Sequence, residues 1–372
     1  MLRAADSMNL NPQARNAQNI LRYWRSPEYR PCILAFSSSP NQAVAANPNV
    51  DIMRLRNDRL WRIDLFATYM RRFDGIFYPG LHPSIDWLGL KARALLGSRA
   101  PVIATLEGLL GELGDDERER RFAAIAHHPV YCQRVPRSSV QRAEAICEMA
   151  DHIITISPFL AQLARVRYGP KVSMLPLGVD TAIFARPTWS RRPRLRVAGA
   201  GGVRVHKRPQ LFVALARTFP QADFVWFGEG DLRPSLMAEI RHSGLGNLEF
   251  PGEVTQEILA QEFAHSDVFV LPSLSEGVPK VTQEAAAAGL AQIIFGFFEA
   301  PTVVDGRNGF VVWTDEELIA RLGELLDDPD LVARMGFAGA EMATVWSWSV
   351  VAPQWERRII DVLEGRLAVA EA

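Results

Sequence analysis

Cysteine is scarce in this chain: Cys32, Cys132 and Cys147 are the three it has, far apart, with no CxxC pair. A scattered odd set excludes a disulfide framework and a cysteine-based zinc site, and fits a reducing compartment. Long apolar runs are missing too: none approaches the ~20 residues that a membrane-spanning helix needs. The first residues, Met-Leu-Arg-Ala-Ala-Asp, lack the apolar core of a signal peptide. A cytoplasmic protein is expected, with peripheral attachment to the inner face of a membrane left open. Nor does either charge dominate. Lys and Arg number 41 against 42 Asp and Glu, a net charge of −1, so nothing draws the whole chain toward nucleic acid. There is no internal repeat and no low-complexity tract.

What is present is apolar content of 48% spread over 372 residues, enough for two domains with a core each. Short apolar runs alternate with amphipathic stretches almost from end to end, which predicts an α/β protein with parallel sheets. In the first half the pattern predicts strands over 2–5, 32–36, 52–55, 75–78, 102–105, 152–156 and 172–175. Helices are expected between them over 13–24, 58–72, 85–96, 138–149 and 158–168. Residues 181–194 are rich in Pro and Arg, lack periodicity, and read as a linker. The alternation then restarts, with strands over 195–198, 224–227, 247–250, 268–271 and 292–295. Helices over 209–218, 232–243, 255–264 and 281–288 separate them, and an apolar stripe over 347–363 predicts a last helix. The expected organisation is a first domain over 1–180, the linker, a second domain over 195–346, and a tail over 347–372 packing back toward the first domain. Two doubly wound, Rossmann-like halves of this kind place a ligand in the cleft between them, at the carboxyl ends of the strands.

The most informative stretch is Pro272-Ser-Leu-Ser-Glu276-Gly-Val-Pro-Lys280-Val-Thr-Gln-Glu284-Ala-Ala-Ala-Ala-Gly289. Two glutamates stand with seven residues between them. That spacing alone occurs by chance in most chains of this size; the context is what raises it. The first glutamate lies in a Gly/Pro loop after an apolar strand, and the second opens an alanine-rich helix. Strand, loop and helix start in that order present unpaired N–H groups to an anion. A carboxylate in the same place suits the hydroxyls of a neutral polyol. A nucleotide sugar presents both chemistries.

With that stretch, the linker and the second sheet in view, the chain resembles the retaining glycosyltransferases of the GT-B fold, family 4. Lys207-Arg-Pro before a helix is similar to the family's phosphate-binding stretch, and Phe227-Gly-Glu-Gly-Asp231 to its glycine turn. Phe250-Pro-Gly-Glu-Val254 resembles the loop that packs on the base. Ser266-Asp-Val-Phe-Val-Leu-Pro-Ser273, Glu276-Gly-Val-Pro-Lys280 and Glu284 resemble its signature, and Asp305-Gly-Arg-Asn-Gly309 its closing turn. Ile156-Ser-Pro and Leu175-Pro-Leu-Gly-Val-Asp180 fit at the junction. The likeness is dense in the second half and holds only in outline in the first.

The resemblance implies a nucleoside diphosphate sugar as donor and a glycan, lipid-linked glycan or small molecule as acceptor, with a role in surface polysaccharide or glycoconjugate synthesis. It makes the first domain the acceptor side. It gives Glu284 the ribose hydroxyls and Glu276 the hydroxyls of the donor sugar. Gly277, Val278, Pro279 and Lys280 would touch sugar or pyrophosphate through their backbone, with Gly202, Gly228 and Val254 completing the donor pocket. Arg204 and Lys207 would neutralise the leaving pyrophosphate. No metal or other cofactor is implied, because cationic side chains and a helix dipole stand in for one. The Asp328-Pro-Asp330 pair reads as a helix start rather than a metal motif.

Three places depart from the family. Glu107 follows strand 102–105 where many relatives carry a histidine near the anomeric centre. It is expected to orient an acceptor hydroxyl or stabilise positive charge, or else to be a structural cap; His127 and His128 are the alternatives for the imidazole. Gly296-Phe-Phe-Glu299 replaces the usual pair of glycines, and Ser7-Met-Asn-Leu-Asn-Pro-Gln13 replaces a glycine-rich first loop. Helix 13–24, with Arg15, Arg22 and Arg25 beside Tyr23 and Trp24, is either a membrane-surface element or an ordinary solvated helix.

Two other functions stay open on residues alone. A nicotinamide-dependent oxidoreductase would use 195–202 as its phosphate turn and Asp223 for the ribose, although Arg204 stands where a third glycine is needed. A catalytically silent sugar-nucleotide-binding protein would explain Glu107.

Overall fold

The computed structural model describes residues 12–35, 41–54, 73–79, 83–95, 97–107, 137–185, 192–274, 276, 278–298 and 300–366. The predicted strand over 2–5, the helix over 58–72, His127, His128, Gly277 and Glu299 lie outside them. The described residues form two compact units. One is built from residues up to 107, 137–178 and 348–366; the other is Val179–Ser347.

The first unit contains α1 (Pro12–Arg22), β1 (Cys32–Ala35), α2 (Gln42–Ala45), β2 (Asp51–Arg54), β3 (Ile76–Tyr78), α3 (Pro83–Leu95), β4 (Val102–Leu106), α4 (Arg137–Met149), β5 (His152–Thr155), α5 (Pro158–Tyr168) and β6 (Val172–Met174). β1 and β2 pair in parallel, Cys32 opposite Asp51. β3, β4, β5 and β6 form a parallel sheet in that order. The ends of its helices follow from local chemistry. Ser157 accepts the N–H of Leu160 at 3.2 Å and Pro158 takes the first helical position, which starts α5. α4 lacks a glycine cap; instead the Lys171 ammonium donates to the carbonyls of Cys147, Glu148 and Ala150 at 2.9, 2.9 and 2.8 Å.

Helix α1 does not present an apolar face to a membrane. Ala17, Ile20, Leu21 and Trp24 are buried within the first unit, and Trp24 Nε1 donates to the Tyr29 carbonyl at 2.6 Å. Arg22 and Arg25 are exposed, so the helix reads as one with solvated arginines. Among the described residues no helix is long and apolar enough to cross a membrane.

The second unit contains α6 (Thr181–Phe184), β7 (Arg196–Ala200), α7 (Pro209–Thr218), β8 (Asp223–Phe227), α8 (Arg233–Ser243), β9 (Leu248–Gly252), α9 (Gln256–Ala264), β10 (Val268–Leu271), α10 (Lys280–Ala287), β11 (Ala291–Phe295), β12 (Gly309–Val312), α11 (Asp315–Asp327) and α12 (Pro329–Ala343). Its six strands are parallel in the order β12-β11-β10-β7-β8-β9. This is the doubly wound order, with the switch point between β7 and β10. Every residue of β10 and β11 is buried, as expected of parallel strands covered on both faces. In the same core Phe212 of α7 packs edge-on against Phe224 and Trp226 of β8, with ring centres 5.5 and 5.2 Å apart.

The boundary between the units falls before the stretch read as a linker. Val179 and Phe184 are fully buried in the second unit's core, and Phe184 packs on Phe263 at 6.1 Å. Asp180 accepts the Ile183 N–H at 3.4 Å and starts α6. The Pro and Arg residues further on conceal this anchor from a composition-based reading.

The last helix, α13 (Trp348–Leu363), belongs to the first unit. Trp355 is buried and donates Nε1 to the Pro176 carbonyl at 2.9 Å. The Glu356 carboxylate accepts the backbone N–H groups of Arg25 (3.0 Å) and Ser26 (2.5 Å), capping the turn after α1.

Candidate active site

The candidate site of the second unit lies at the carboxyl ends of β7 and β10, where neighbouring connections run to opposite faces of the sheet. The loop after β7 and the loop after β10 are tied directly: the Leu274 N–H donates to the His206 carbonyl at 2.9 Å. From the first loop the Lys207 ammonium reaches the Glu276 carboxylate of the second, and the two share an ion pair with only 17% and 11% of their side chains exposed. Removed from most of the solvent, such a pair is a strong charge-assisted contact.

Glu284 sits one helical turn into α10 and is buried. Its Oε1 accepts Gln256 Nε2 at 3.2 Å, from the first residue of α9. Between the two glutamates, Pro279 is the N-cap of α10 with no side-chain cap, so first-turn N–H groups face the loop. Val278 and Lys280 are half-buried and Pro279 is buried. Beneath this turn Thr282 Oγ1 donates to the Pro279 carbonyl and bonds Thr302 Oγ1, both at 2.6 Å. Asn308 in turn donates to the Thr302 carbonyl at 2.9 Å. The closing turn over 305–309 therefore pins the start of α10. At the end of β10 the Ser273 hydroxyl is fully buried and has no hydrogen-bond partner among the described residues.

The glycine turns interlock. Gly201 N–H donates to the Phe227 carbonyl at 2.9 Å, Val203 N–H to Glu229 at 2.9 Å, and Gly228 N–H to Gly252 at 2.8 Å. Gly228 has φ 143° and a Cβ there would stand 2.1 Å from the Gly201 oxygen. Only glycine permits so close a backbone approach. The turns after β7, β8 and β9 thus form one shelf, with Gly202 and Gly228 on it and Val254 just past its edge.

His206, half-buried beside the Lys207 ammonium, has its pKa lowered by burial first and by that charge second. Arg204 is exposed at the start of the short turn Val205–Lys207 and makes no side-chain cap. The structure brings Glu276, Lys207, Glu284 and the α10 start together; Arg204 stands at their solvent side.

In the first unit Glu107 directly follows β4, and its Oε1 accepts Asn16 Nδ2 at 3.1 Å from the buried face of α1. The nearby Thr105 hydroxyl is buried without a hydrogen-bond partner among the described residues.

Several residues take structural roles. Asp328 accepts the Leu331 N–H at 2.9 Å and starts α12, as its spacing implies. His265 ends α9, with Nδ1 on the Gln261 carbonyl at 2.7 Å. Asp267 accepts the Arg196 N–H at 3.0 Å at the amino end of the sheet. Asp223 also lies at that end: it begins β8 and pairs with Arg194 at 3.0 Å. A dinucleotide ribose lies at the carboxyl end, so Asp223 is on the wrong edge for the dehydrogenase reading. Phe298 is buried in the core, whereas Phe297 is half-buried, stacked on Phe295 at 5.1 Å.

Residues 194–328 match the family model for glycosyl transferases group 1. Over 307 residues the chain is 29% identical to a GDP-mannose-dependent alpha-(1-6)-phosphatidylinositol monomannoside mannosyltransferase of Mycolicibacterium smegmatis, covering 74% of this chain and 77% of that protein. The chain is a GT-B glycosyltransferase. A second relative, the D-inositol 3-phosphate glycosyltransferase of Streptomyces scabiei, is 42% identical over 108 residues, 28% of this chain and 24% of that one. Among solved structures this glycosyltransferase resembles sucrose-phosphate synthase from Thermosynechococcus elongatus, with a TM-score of 0.75 at 18% identity and 98% of each chain covered. It also resembles Anabaena HepE in complex with UDP and glucose, with a TM-score of 0.72 at 14% identity, again over 98% of each chain. The fold of this glycosyltransferase is therefore held at identities far too low to carry over a substrate.

Two members of the site escape a reading of the sequence. Gln256 lies outside the recognised motifs and meets Glu284 only because β9 and β10 flank β7 and β8 in space. Arg208, next to Lys207, looks like one more surface cation in the sequence; its backbone sets it apart.

Proposed function

We propose that this glycosyltransferase moves a hexosyl group, with retention of configuration, from a nucleoside diphosphate donor to a hydroxyl of a glycan or lipid-linked glycan. The observation that carries this reading is the Lys207–Glu276 pair at the switch point, with Glu284 on the helix that follows. Donor binding opens that pair. The pyrophosphate takes the Lys207 ammonium and the first-turn N–H groups of α10, and the sugar hydroxyls take the Glu276 carboxylate. Each partner keeps a charge-assisted contact, so the exchange is energetically balanced. Glu284, held by Gln256, accepts from the ribose hydroxyls, and the glycine shelf lets the nucleotide lie close to the backbone.

In the reaction the bond between the anomeric carbon and the phosphate oxygen breaks first, and Lys207 with the α10 start stabilises the growing charge on the leaving group. The acceptor oxygen then bonds to the same face of the anomeric carbon, and its proton passes to the departing phosphate. No protein nucleophile and no metal is called on in this scheme. On the first unit, Glu107, oriented by Asn16, is the carboxylate assigned to binding an acceptor hydroxyl. A role in surface glycan or glycoconjugate assembly fits the relative whose name specifies a phosphatidylinositol mannoside acceptor.

The test is a thermal-shift screen of the purified protein against GDP, UDP, ADP and NAD, repeated with Glu284→Ala. A ligand that binds only the folded state raises Tm by mass action. A shift with one nucleoside diphosphate that the variant loses supports the reading. A shift with NAD alone, or one that Glu284→Ala leaves intact, overturns it.

A further inference from the structure

Arg208 has φ 51° and ψ 48°, and among the described residues it is the one non-glycine with positive φ. A left-handed conformation is unfavourable for an arginine and persists only where its surroundings offset the strain. Three contacts do so. Its guanidinium bonds the carboxylate of Asp315, in the first turn of α11. It also lies over the face of Phe295, 5.2 Å from the ring centre, at the end of β11. Its own backbone closes the turn before α7, with Arg208 N–H on the Val205 carbonyl at 3.0 Å and Leu211 N–H on the Arg208 carbonyl at 3.0 Å. The strained residue directly follows Lys207, whose ammonium meets Glu276.

From these observations we infer that Arg208 is a positioning residue: its latch onto Asp315 and Phe295 fixes the loop after β7 so that Lys207 is delivered to the charged centre of the donor site. The inference rests on the reading of Lys207 as a phosphate ligand. The geometry favours positioning over plain stability. An Arg–carboxylate pair that served only to hold α11 against the sheet would not need a left-handed backbone. The same backbone turns the chain by one sharp step between Lys207 and the buried Pro209, so the Lys207 side chain and the α7 start point as they do only while the latch is closed. Asp315 is two residues past Trp313, which packs edge-on against Phe297 at 5.9 Å, while Phe297 stacks on Phe295. The latch is therefore anchored in a rigid aromatic group at the ends of β11 and β12, not in the loop it restrains.

Three variants test it. Arg208→Gly suits the left-handed backbone without strain but has no latch; Asp315→Asn keeps the shape but removes the charge; the exchanged pair Arg208→Asp with Asp315→Arg restores attraction, and aspartate tolerates this conformation. Each is measured by calorimetric titration with the nucleoside diphosphate that stabilises the parent, by thermal melting, and by hydrogen exchange of the amides of 204–208. The expected result is Tm within a few degrees of the parent for Arg208→Gly, affinity weakened about tenfold or more in both single variants, faster exchange over 204–208, and recovery of most of the affinity in the exchanged pair. Parallel measurement of Lys207→Ala separates the two readings. If Lys207→Ala loses affinity and Arg208→Gly does not, the latch is overturned and the phosphate role of Lys207 stands. If neither loses affinity, the phosphate role falls, and the latch is decided by exchange: unchanged protection of 204–208 in Asp315→Asn overturns it, and lost protection with restoration in the exchanged pair supports it.

Discussion

Lys207 and Glu276 come from loops on either side of the switch point, 69 residues apart in sequence, and neutralise one another across it. Each is the other's counter-ion until something more strongly charged, or richer in hydroxyls, takes its place. Replacing Glu276 by Ala leaves a largely desolvated ammonium. The fold should lose on the order of 1–3 kcal/mol. Transfer should fall by about 10²-fold or more, since the variant loses its contact with the donor sugar in the transition state. Initial rates alongside melting curves check this; a variant that melts early yet turns over at the parental rate contradicts the assignment.

Glu284 and Gln256 should separate cleanly in ligand titrations. Glu284→Ala removes a charged acceptor and should weaken nucleoside diphosphate binding by roughly 10- to 100-fold, the range for hydrogen bonds to charged groups. Gln256→Ala removes only the group that orients it and should cost a few-fold. Equal losses from the two would mean that Gln256 itself contacts the ligand.

Gly228 and Gly97 both have positive φ, 143° and 64°, but only Gly228 faces another backbone. Gly97→Ala should cost about 1 kcal/mol through conformation alone. Gly228→Ala adds a Cβ 2.1 Å from the Gly201 carbonyl oxygen and should cost on the order of 3 kcal/mol. Chemical denaturation of the two variants side by side measures the overlap term; similar losses would remove Gly228 from the shelf.

His152 makes stability depend on pH. It is buried in β5, Nε2 bonded to Ser173 Oγ at 2.8 Å, and burial, with a smaller push from Arg358, lowers its pKa from 6.5 to about 4. Because the folded pKa is depressed, the unfolded chain takes up the proton first. The penalty is absent above pH 6.5 and grows as pH falls, approaching about 3 kcal/mol by pH 4. Melting temperatures of the parent and of His152→Gln, followed from pH 7.5 to 4.5, should converge or cross as the parent loses stability faster. Parallel curves would show that His152 does not carry the effect.

Much of the second unit is legible in the sequence because its strands are buried on both faces. Residues 268–271 and 291–295 are nearly unbroken apolar runs, and Thr255 and Asp328 announce the helices they cap. What could not be read is whatever depends on two distant segments meeting. The Lys207–Glu276 bond needs the strand order β10-β7, and the Gln256–Glu284 contact needs two helices to converge. The short strand β12 has only four residues after a polar turn and gives too little periodicity to register. α6 was hidden inside a Pro- and Arg-rich stretch, where one buried phenylalanine outweighs the composition around it. The left-handed backbone of Arg208 leaves no trace in residue type, since arginine rarely adopts it.

The first unit is closed by a helix that the ribosome makes only after the whole of the second unit. Trp348, Trp355 and Glu356, which fill the space beside Gly178, Pro176 and the turn after α1, are translated only after all of Val179–Ser347 has been made. During synthesis the first unit must therefore wait, unfinished, while the second completes its sheet. That inverts the usual N-terminal-first order. A chain truncated at residue 347 and released would carry a complete second unit and an open first one, with the places of Trp348 and Trp355 left unfilled for whatever chaperone reaches them.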